Sequence, residues 1–546
     1  PWMSANRRIL PRWGNADASA AAGPGGDGPV RTFLAGALFV LAYAPGTPGY
    51  DVPALPFLCM APFLALTVRA TTVRRAAWRG WIAGTAGNVP LYYWIAYTVA
   101  VEGRLGWPLG SVAALLVSAY VGIYFSVAGA AAHRLKGRFG ERGLWAFPLV
   151  WTGLELARTY LFTGFPWMLL GYSLAGDATL RQAADLAGVP GLSFLLALSG
   201  VSLYLAAVRC AERPFVAALP PLAPGIAVVL FLLAYGAAGP AAPGGAAPGQ
   251  GTVKVAVAQG GIDQAAKWEP GNQAETLNIY EDLTMKARAA GAKVVVWPET
   301  AAPFFYGWEE APTRRLHAIG AEAGVTIIFG APWYDPAGGG KYFNSVFEMD
   351  GRGVVVGRYD KRHLVPFGEY IPLRPVLSFL QKLTAGDGDF SPGTNPSLFR
   401  VEGTMAAASV CYEAVFPEIL REGVREGATW LVNLTNDAWF GKTVAPYQHL
   451  AMARMRCVEL RRPMVRAANS GISAVIDPRG GIVASEGLYR RGIVVAEIHP
   501  REKESLYAKT GEIFGLSCII ISCLTIFFPL RGSHGFRRTG GKDGGA

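Results

Sequence analysis

Residues 293–299 read KVVVWPE. A short β-branched run closed by proline and a carboxylate reads as a strand, and one without polar alternation is covered on both faces. Outward from it the same kind of run recurs: VKVAVAQ at 253–259, TIIFGAPWY at 326–334, FNSVFEMD at 343–350, GVVVGRYDK at 353–361, MAAASVCYE at 405–413, WLVNLTND at 430–437, MVRAANS at 464–470 and ISAVIDP at 472–478. Helical patterns fill the gaps, so residues 252–505 are expected to form an α/β layered domain. In such folds ligands gather at the carboxyl ends of strands. The sequence places Glu299 after KVVVWP, Lys361 after GVVVGRYD and Cys411 after MAAASV.

The rest of the chain has another character. Of 546 residues 51% are hydrophobic and 16% charged, against about 25% charged in an ordinary soluble domain, which excludes a disordered protein and a conventional cytosolic enzyme. The apolar excess lies before residue 240 and again near 512–530. A helix of roughly 20 apolar residues spans a bilayer, and about eight stretches qualify: 31–46, 53–69, 80–100, 108–132, 143–161, 187–208, 221–239 and 511–530. The fifth carries Glu155 and Arg158, which either face a bundle interior or mark a helix lying at the interface. The first also fits a signal peptide, since Arg7, Arg8 and Arg12 precede it and Ala42-Tyr43-Ala44 resembles a cleavage site, but Pro45 opposes cleavage. The expected organisation is a disordered leader at 1–30, a polytopic α-helical membrane domain at 31–239, a linker PAAPGGAAPGQG at 240–251, the α/β domain at 252–505, a C-terminal transmembrane helix at 511–530 and a cytoplasmic tail at 531–546.

Fifty basic and 39 acidic residues give a net charge of +11. Position argues against nucleic acid as its partner. Arg69, Arg74, Arg75 and Arg79 fall between the second and third spans, and Arg134, Lys136, Arg138 and Arg142 between the fourth and fifth. Arg209 and Arg213 continue the alternation, while PGTPGYD and VEGRLGW on the other side carry little charge. The positive-inside rule then puts both termini in the cytoplasm and the α/β domain on the far side, in a bacterium the periplasm.

Each polar strand end taken alone has a packing or rim explanation. Together their chemistry is complementary. A carboxylate takes a thiol's proton, an ammonium lowers the thiol pKa and holds a developing oxyanion, and the thiolate attacks a carbonyl, so Glu, Lys and Cys form an acyl-transfer set. The six cysteines show neither CxxC nor Cys/His spacing, so no metal is expected. Only Cys411 and Cys457 fall within the α/β segment, and a disulfide between them would silence the chemistry. Cys411 is expected to be free and quickly modified by a thiol reagent, and Cys457, in QHLAMARMRCVELRR, protected.

These residues resemble the carbon-nitrogen hydrolase (nitrilase) superfamily over roughly residues 252–500. WPET at 297–300, DKRHLVPFGEY at 360–370, CYE at 411–413, NDAWFG at 436–441 and, in the membrane array, FTGFPW at 162–167 are similar more particularly to the apolipoprotein N-acyltransferase family. The resemblance implies an αββα sandwich beside the membrane helices, with Glu299 as general base, Lys361 as oxyanion stabiliser and Cys411 as nucleophile. Glu369 matches the family's second glutamate, which either orients Lys361 and relays protons or serves as a structural acceptor. Trp268, Tyr412 and Glu413 match positions associated with the family's active site, though each also has a packing explanation. A phospholipid acyl donor, a diacylglyceryl-cysteine lipoprotein as acceptor, the inner membrane and no cofactor follow from the same resemblance. A membrane-tethered amidase, in which water takes the acyl group, and an inactive lipid-binding receptor are the alternatives.

Both substrates would be lipids, so chemistry at the bilayer surface is expected. Two apolar segments are the expected mobile mouth that dips into the interface and admits them, YIPLRPVLSFLQKLTAG at 370–386 and the cluster Phe304, Phe305, Tyr306 and Trp308, with ordinary core packing as the other reading.

Overall fold

The computed structural model describes residues 52, 54–239, 251–336, 338–372 and 389–527. Helices α1 (Leu55–Leu58), α2 (Met60–Val68), α3 (Val73–Tyr97), α4 (Trp107–Phe139), α5 (Phe147–Tyr160), α6 (Ala184–Glu212) and α7 (Leu219–Ala237) occupy the stretches read as the second to seventh spans. The leader, the first span, nearly all of the linker and the C-terminal tail lie outside the described residues.

Among the described residues, three helical segments are long and apolar enough to cross a membrane: Trp107–Thr163, Leu180–Glu212 and Phe215–Ala237. Leu55–Val68 and Ile513–Phe527 are apolar but shorter. The expected array is therefore present as apolar helices, while its count of eight is not established. Helix α3 falls short in apolarity because Arg74, Arg75 and Arg79 crowd its first turns and Asn88, buried, donates to the Gly84 carbonyl at 2.7 Å. It still packs tightly on α4: Gly122 rests against Thr85, and Gly80 against the Phe125 carbonyl, where any side chain would force the backbones apart. Glu155 and Arg158 of α5 are both buried, and Glu155 Oε1 accepts from the Leu170 amide at 2.7 Å. The pair faces the bundle interior.

The second part alternates strands and helices as β1 (Val253–Gln259), α8 (Gln264–Lys267), α9 (Gln273–Ala289), β2 (Val294–Val296), α10 (Glu310–Ala323), β3 (Thr326–Asp335), β4 (Lys341–Met349) and β5 (Val355–Asp360). It continues with β6 (Leu398–Val401), β7 (Thr404–Val410), α11 (Pro417–Arg425), β8 (Trp430–Thr435), α12 (Ala445–Leu460) and β9 (Met464–Ala468). Strands β10 (Ser473–Ile476), β11 (Ile482–Glu486) and β12 (Gly492–Ile498) precede helices α13 (Leu506–Thr510) and α14 (Ile513–Phe527).

Two six-stranded sheets result, in the orders β12-β1-β2-β3-β4-β5 and β11-β10-β9-β8-β7-β6. Each has a parallel centre, β1-β2-β3 and β7-β8-β9, flanked by antiparallel strands. Alternation along the strands builds the layers. Val255, Val257, Val294 and Val296 face Ala406, Ala408, Val410 and Val432 in a core between the sheets. Ala256, Ala258 and Val295 pack outward on Leu277 and Tyr280 of α9 and Leu316 of α10. Ala407 and Leu431 pack on Leu420 of α11 and Ala453 and Cys457 of α12. This is the expected αββα sandwich.

A further core joins the two parts: Tyr412, Val415, Phe416, Met452 and Met455 share it with Tyr92, Trp94, Trp167 and Leu170 of the helical bundle. Buried polar ties cross the same boundary. Arg461 Nη2 lies 2.7 Å from Asp185 Oδ2, and Glu459 Oε1 accepts from the Val189 amide at 2.8 Å.

Candidate active site

Strand β5 lies two antiparallel steps beyond β3, which is parallel to β2, so β2 and β5 point the same way and release Glu299 and Lys361 at one end of their sheet. Lys361 Nζ is 3.0 Å from Glu369 Oε2 and 3.5 Å from Glu299 Oε1, with all three side chains buried. Burial alone would pull the ammonium's pKa down, but Glu369 and then Glu299 outweigh it and hold it above its ordinary value. Lys361 is thus a fixed positive charge.

Asn344 completes this group, although nothing in the sequence singled it out. Its amide nitrogen donates to Glu299 Oε1 at 2.7 Å and to Glu369 Oε1 at 2.9 Å, holding both carboxyl groups as acceptors. The Asn436 amide binds the other oxygen, Glu299 Oε2, at 2.9 Å, and the Val365 amide binds Glu369 Oε2 at 2.8 Å.

Cys411 enters from the facing sheet at the end of β7, opening a short 3-10 helix, Cys411–Val415. Its φ of 50° lies in the left-handed region, unusual for a residue with a side chain and frequent where a nucleophile is turned out of a strand. Glu413 holds that turn. It accepts from the Val410 amide at 2.7 Å, the Arg362 amide at 2.7 Å, the His363 amide at 3.0 Å and the Tyr359 hydroxyl at 2.9 Å, binding the Cys411 turn to the Lys361 loop. His449 supports the turn from behind, 3.1 Å from the Cys411 carbonyl, in a fully buried chain with Asp437 at 2.9 Å. A carbonyl only accepts, so Nε2 carries a proton. Arg466, then His449, hold the Asp437 carboxyl down to about 2 against its burial.

The thiol responds to burial first, then to the Glu299 charge, both of which push its pKa above the ordinary value; Lys361 pulls the other way and does not win. The expected lowering by the ammonium is thus overridden. At rest Cys411 carries its proton. Neither Cys411 nor Cys457 is in a disulfide, and Cys457 is fully buried in α12 with its thiol also pushed up by burial.

Tyr412 turns away from the ion cluster toward the bundle. Its hydroxyl donates to the Gly164 carbonyl at 3.3 Å, and its ring stacks on Trp167 with centroids 6.2 Å apart. FTGFPW thereby reaches the neighbour of Cys411. Trp268 is 39% exposed beside Lys267, whose buried ammonium contacts the Glu299 backbone. The expected aromatic mouth is corrected in part: Phe304 and Tyr306 are core residues, Tyr306 lying 4.5 Å from the Phe347 ring, and Trp308 is exposed. Residues 373–388, with Leu373, Val376, Leu377, Phe379, Leu380 and Leu383, lie outside the described residues.

Residues 254–506 match the carbon-nitrogen hydrolase family, and residues 35–202 match the apolipoprotein N-acyltransferase N-terminal domain. An apolipoprotein N-acyltransferase from Geobacter metallireducens is 41% identical over 503 residues, covering 90% of this chain and 94% of the relative. One from Azotobacter vinelandii is 34% identical, covering 91% and 95%. The solved structure of an amidase from Nesterenkonia sp. is similar at 20% identity and a TM-score of 0.36, covering 46% of this chain and 93% of that one.

Proposed function

From the chain's membership in the apolipoprotein N-acyltransferase family we infer how its residues divide the reaction. It is an acyltransferase of lipoprotein maturation that works through a cysteine. The assignment of residues rests on one observation, the convergence of Glu299, Lys361 and Glu369 in a buried group to whose lysine loop Glu413 ties the Cys411 turn.

In the first half-reaction the Cys411 sulfur attacks the ester carbonyl of a membrane phospholipid as Glu299 takes the thiol proton. Lys361 stabilises the tetrahedral oxyanion. The ester C–O bond breaks, Glu299 returns the proton to the departing lysophospholipid oxygen, and a thioester remains on Cys411. In the second, the α-amino group of a diacylglyceryl-cysteine attacks the thioester, Glu299 accepts a proton from nitrogen and passes it to sulfur, and the C–S bond breaks as the amide forms. Glu369 keeps Lys361 oriented, and Glu413 keeps Cys411 in its turn. No step calls for a metal or an organic cofactor.

The membrane bundle is part of the reading, because drawing an acyl chain into water costs about 0.8 kcal/mol per CH₂. Tyr412 against Gly164 and Trp167 supports a site seated on the bundle, at the bilayer surface. The alternating arginine loops support a periplasmic site in the inner membrane with both termini cytoplasmic. The test supplies labelled phospholipid together with a diacylglyceryl-cysteine peptide. Label is expected in the peptide's N-terminal amide; release of label only as free fatty acid would instead make the protein a hydrolase.

A further inference from the structure

Lys267 ends α8 directly before Trp268, and its side chain runs inward and is 1% exposed. Nζ donates to the Glu299 carbonyl at 3.1 Å and to Thr300 Oγ1 at 2.5 Å. Thr300 has a φ of 47°, a left-handed conformation that a β-branched residue keeps only when its surroundings hold it. Gly330 on β3 adds a second constraint, since a side chain there would meet the Thr300 amide at 2.6 Å and Glu299 Cα at 2.8 Å. The turn that carries Glu299 is thus pressed by β3 on one side and tied by Lys267 on another.

We propose that Lys267 is a positioning residue of the acyl transfer: by holding the Glu299 carbonyl and the Thr300 hydroxyl together it fixes the turn that presents the Glu299 carboxyl group. This rests on the reading of Glu299 as the base. A buried ammonium bound to a carbonyl and a hydroxyl is costly, and packing alone would be served by methionine. The charged or titratable groups that face Glu299 are Lys361 from the end of β5, Glu369 across Asn344, Cys411 from the end of β7, and Lys267. Burial pulls the Lys267 pKa down to about 7, with the Glu299 charge opposing.

Single-turnover release of lysophospholipid by the full-length enzyme in phosphatidylethanolamine-containing vesicles tests this. Lys267→Met should slow acylation by ~10²-fold, the scale of a small misplacement of a catalytic group, with the phospholipid KM unchanged. Lys267→Arg keeps N–H donors for the carbonyl and the hydroxyl and should recover most of the rate. A wild-type rate in Lys267→Met, a loss that falls on KM rather than on the acylation rate, or a Lys267→Arg variant that folds but is as slow as Lys267→Met each overturns the proposal. Glu299→Gln reports separately on the base: acylation at the wild-type rate in that variant would remove the underlying reading whatever Lys267 does.

Discussion

Burial and the Glu299 charge hold the Cys411 thiol up, which changes what its neighbours must do. A preformed thiolate is not available at neutral pH, so in the proposed mechanism the proton leaves as sulfur attacks, and Glu299 as its acceptor rather than the thiol pKa sets the pace. Two rates should therefore separate. Alkylation of Cys411 by iodoacetamide, which needs thiolate, should climb throughout pH 7 to 9 because the raised pKa lies above the ordinary ~8.5 of a free cysteine. Lysophospholipid release should stay level over the same range; parallel rises would contradict the general-base step. Glu299, Lys361 and Cys411 were legible in the sequence because each is a polar residue closing an apolar run. Asn344 and Lys267 were not. Asn344 sits inside FNSVFEMD, where alternation alone does not say whether a polar residue faces water or another strand, and Lys267 looks like a solvated helix end until its burial is known.

The FTGFPW loop links the neighbour of Cys411 to the helical bundle through an unusual run of backbone. Phe162, Thr163 and Gly164 all have positive φ, of 54°, 75° and 84°. A Cβ on Gly164 would collide with the Thr159 carbonyl and meet the Phe416 ring at 3.0 Å. Gly403 also has positive φ, 75°, but opens onto empty space. Gly164→Ala should therefore lower the melting temperature well beyond Gly403→Ala, whose cost is a backbone term of about 1 kcal/mol. Only Gly164→Ala should slow acyl transfer, since it moves the carbonyl that receives the Tyr412 hydroxyl. Equal losses in the two variants would dismiss the loop as a support for the site. Most strands of the sandwich were readable from short apolar runs. Strands β6, β11 and β12 were not: β6 is only four residues long, and β11, with Ile482 and Val483 facing outward, has neither a continuous apolar run nor clean alternation.

The membrane bundle and the sandwich behave as one folded body because a shared core and buried charges join them. Arg461 is paired with Asp185 where both are buried, whereas Lys286 and Asp282 pair on the surface with side chains 61% and 57% exposed. Breaking a buried pair strands a charge and costs roughly 3–5 kcal/mol, while an exposed pair contributes about 0–1 kcal/mol. Asp185→Asn should thus lower the detergent-solubilised enzyme's melting temperature clearly, and Asp282→Asn hardly at all; similar shifts would mean that the boundary carries little of the stability. The same union sets the conditions for the decisive measurement, which needs the full chain in lipid. Reconstituted enzyme is given labelled phospholipid without an acceptor, quenched in acid, and its peptides weighed. The predicted result is one fatty acyl group on the peptide containing Cys411, removed by neutral hydroxylamine, absent from Cys411→Ala and never on Cys457. Transfer of label to a lipopeptide acceptor with no acyl group ever detectable on Cys411 would contradict the account.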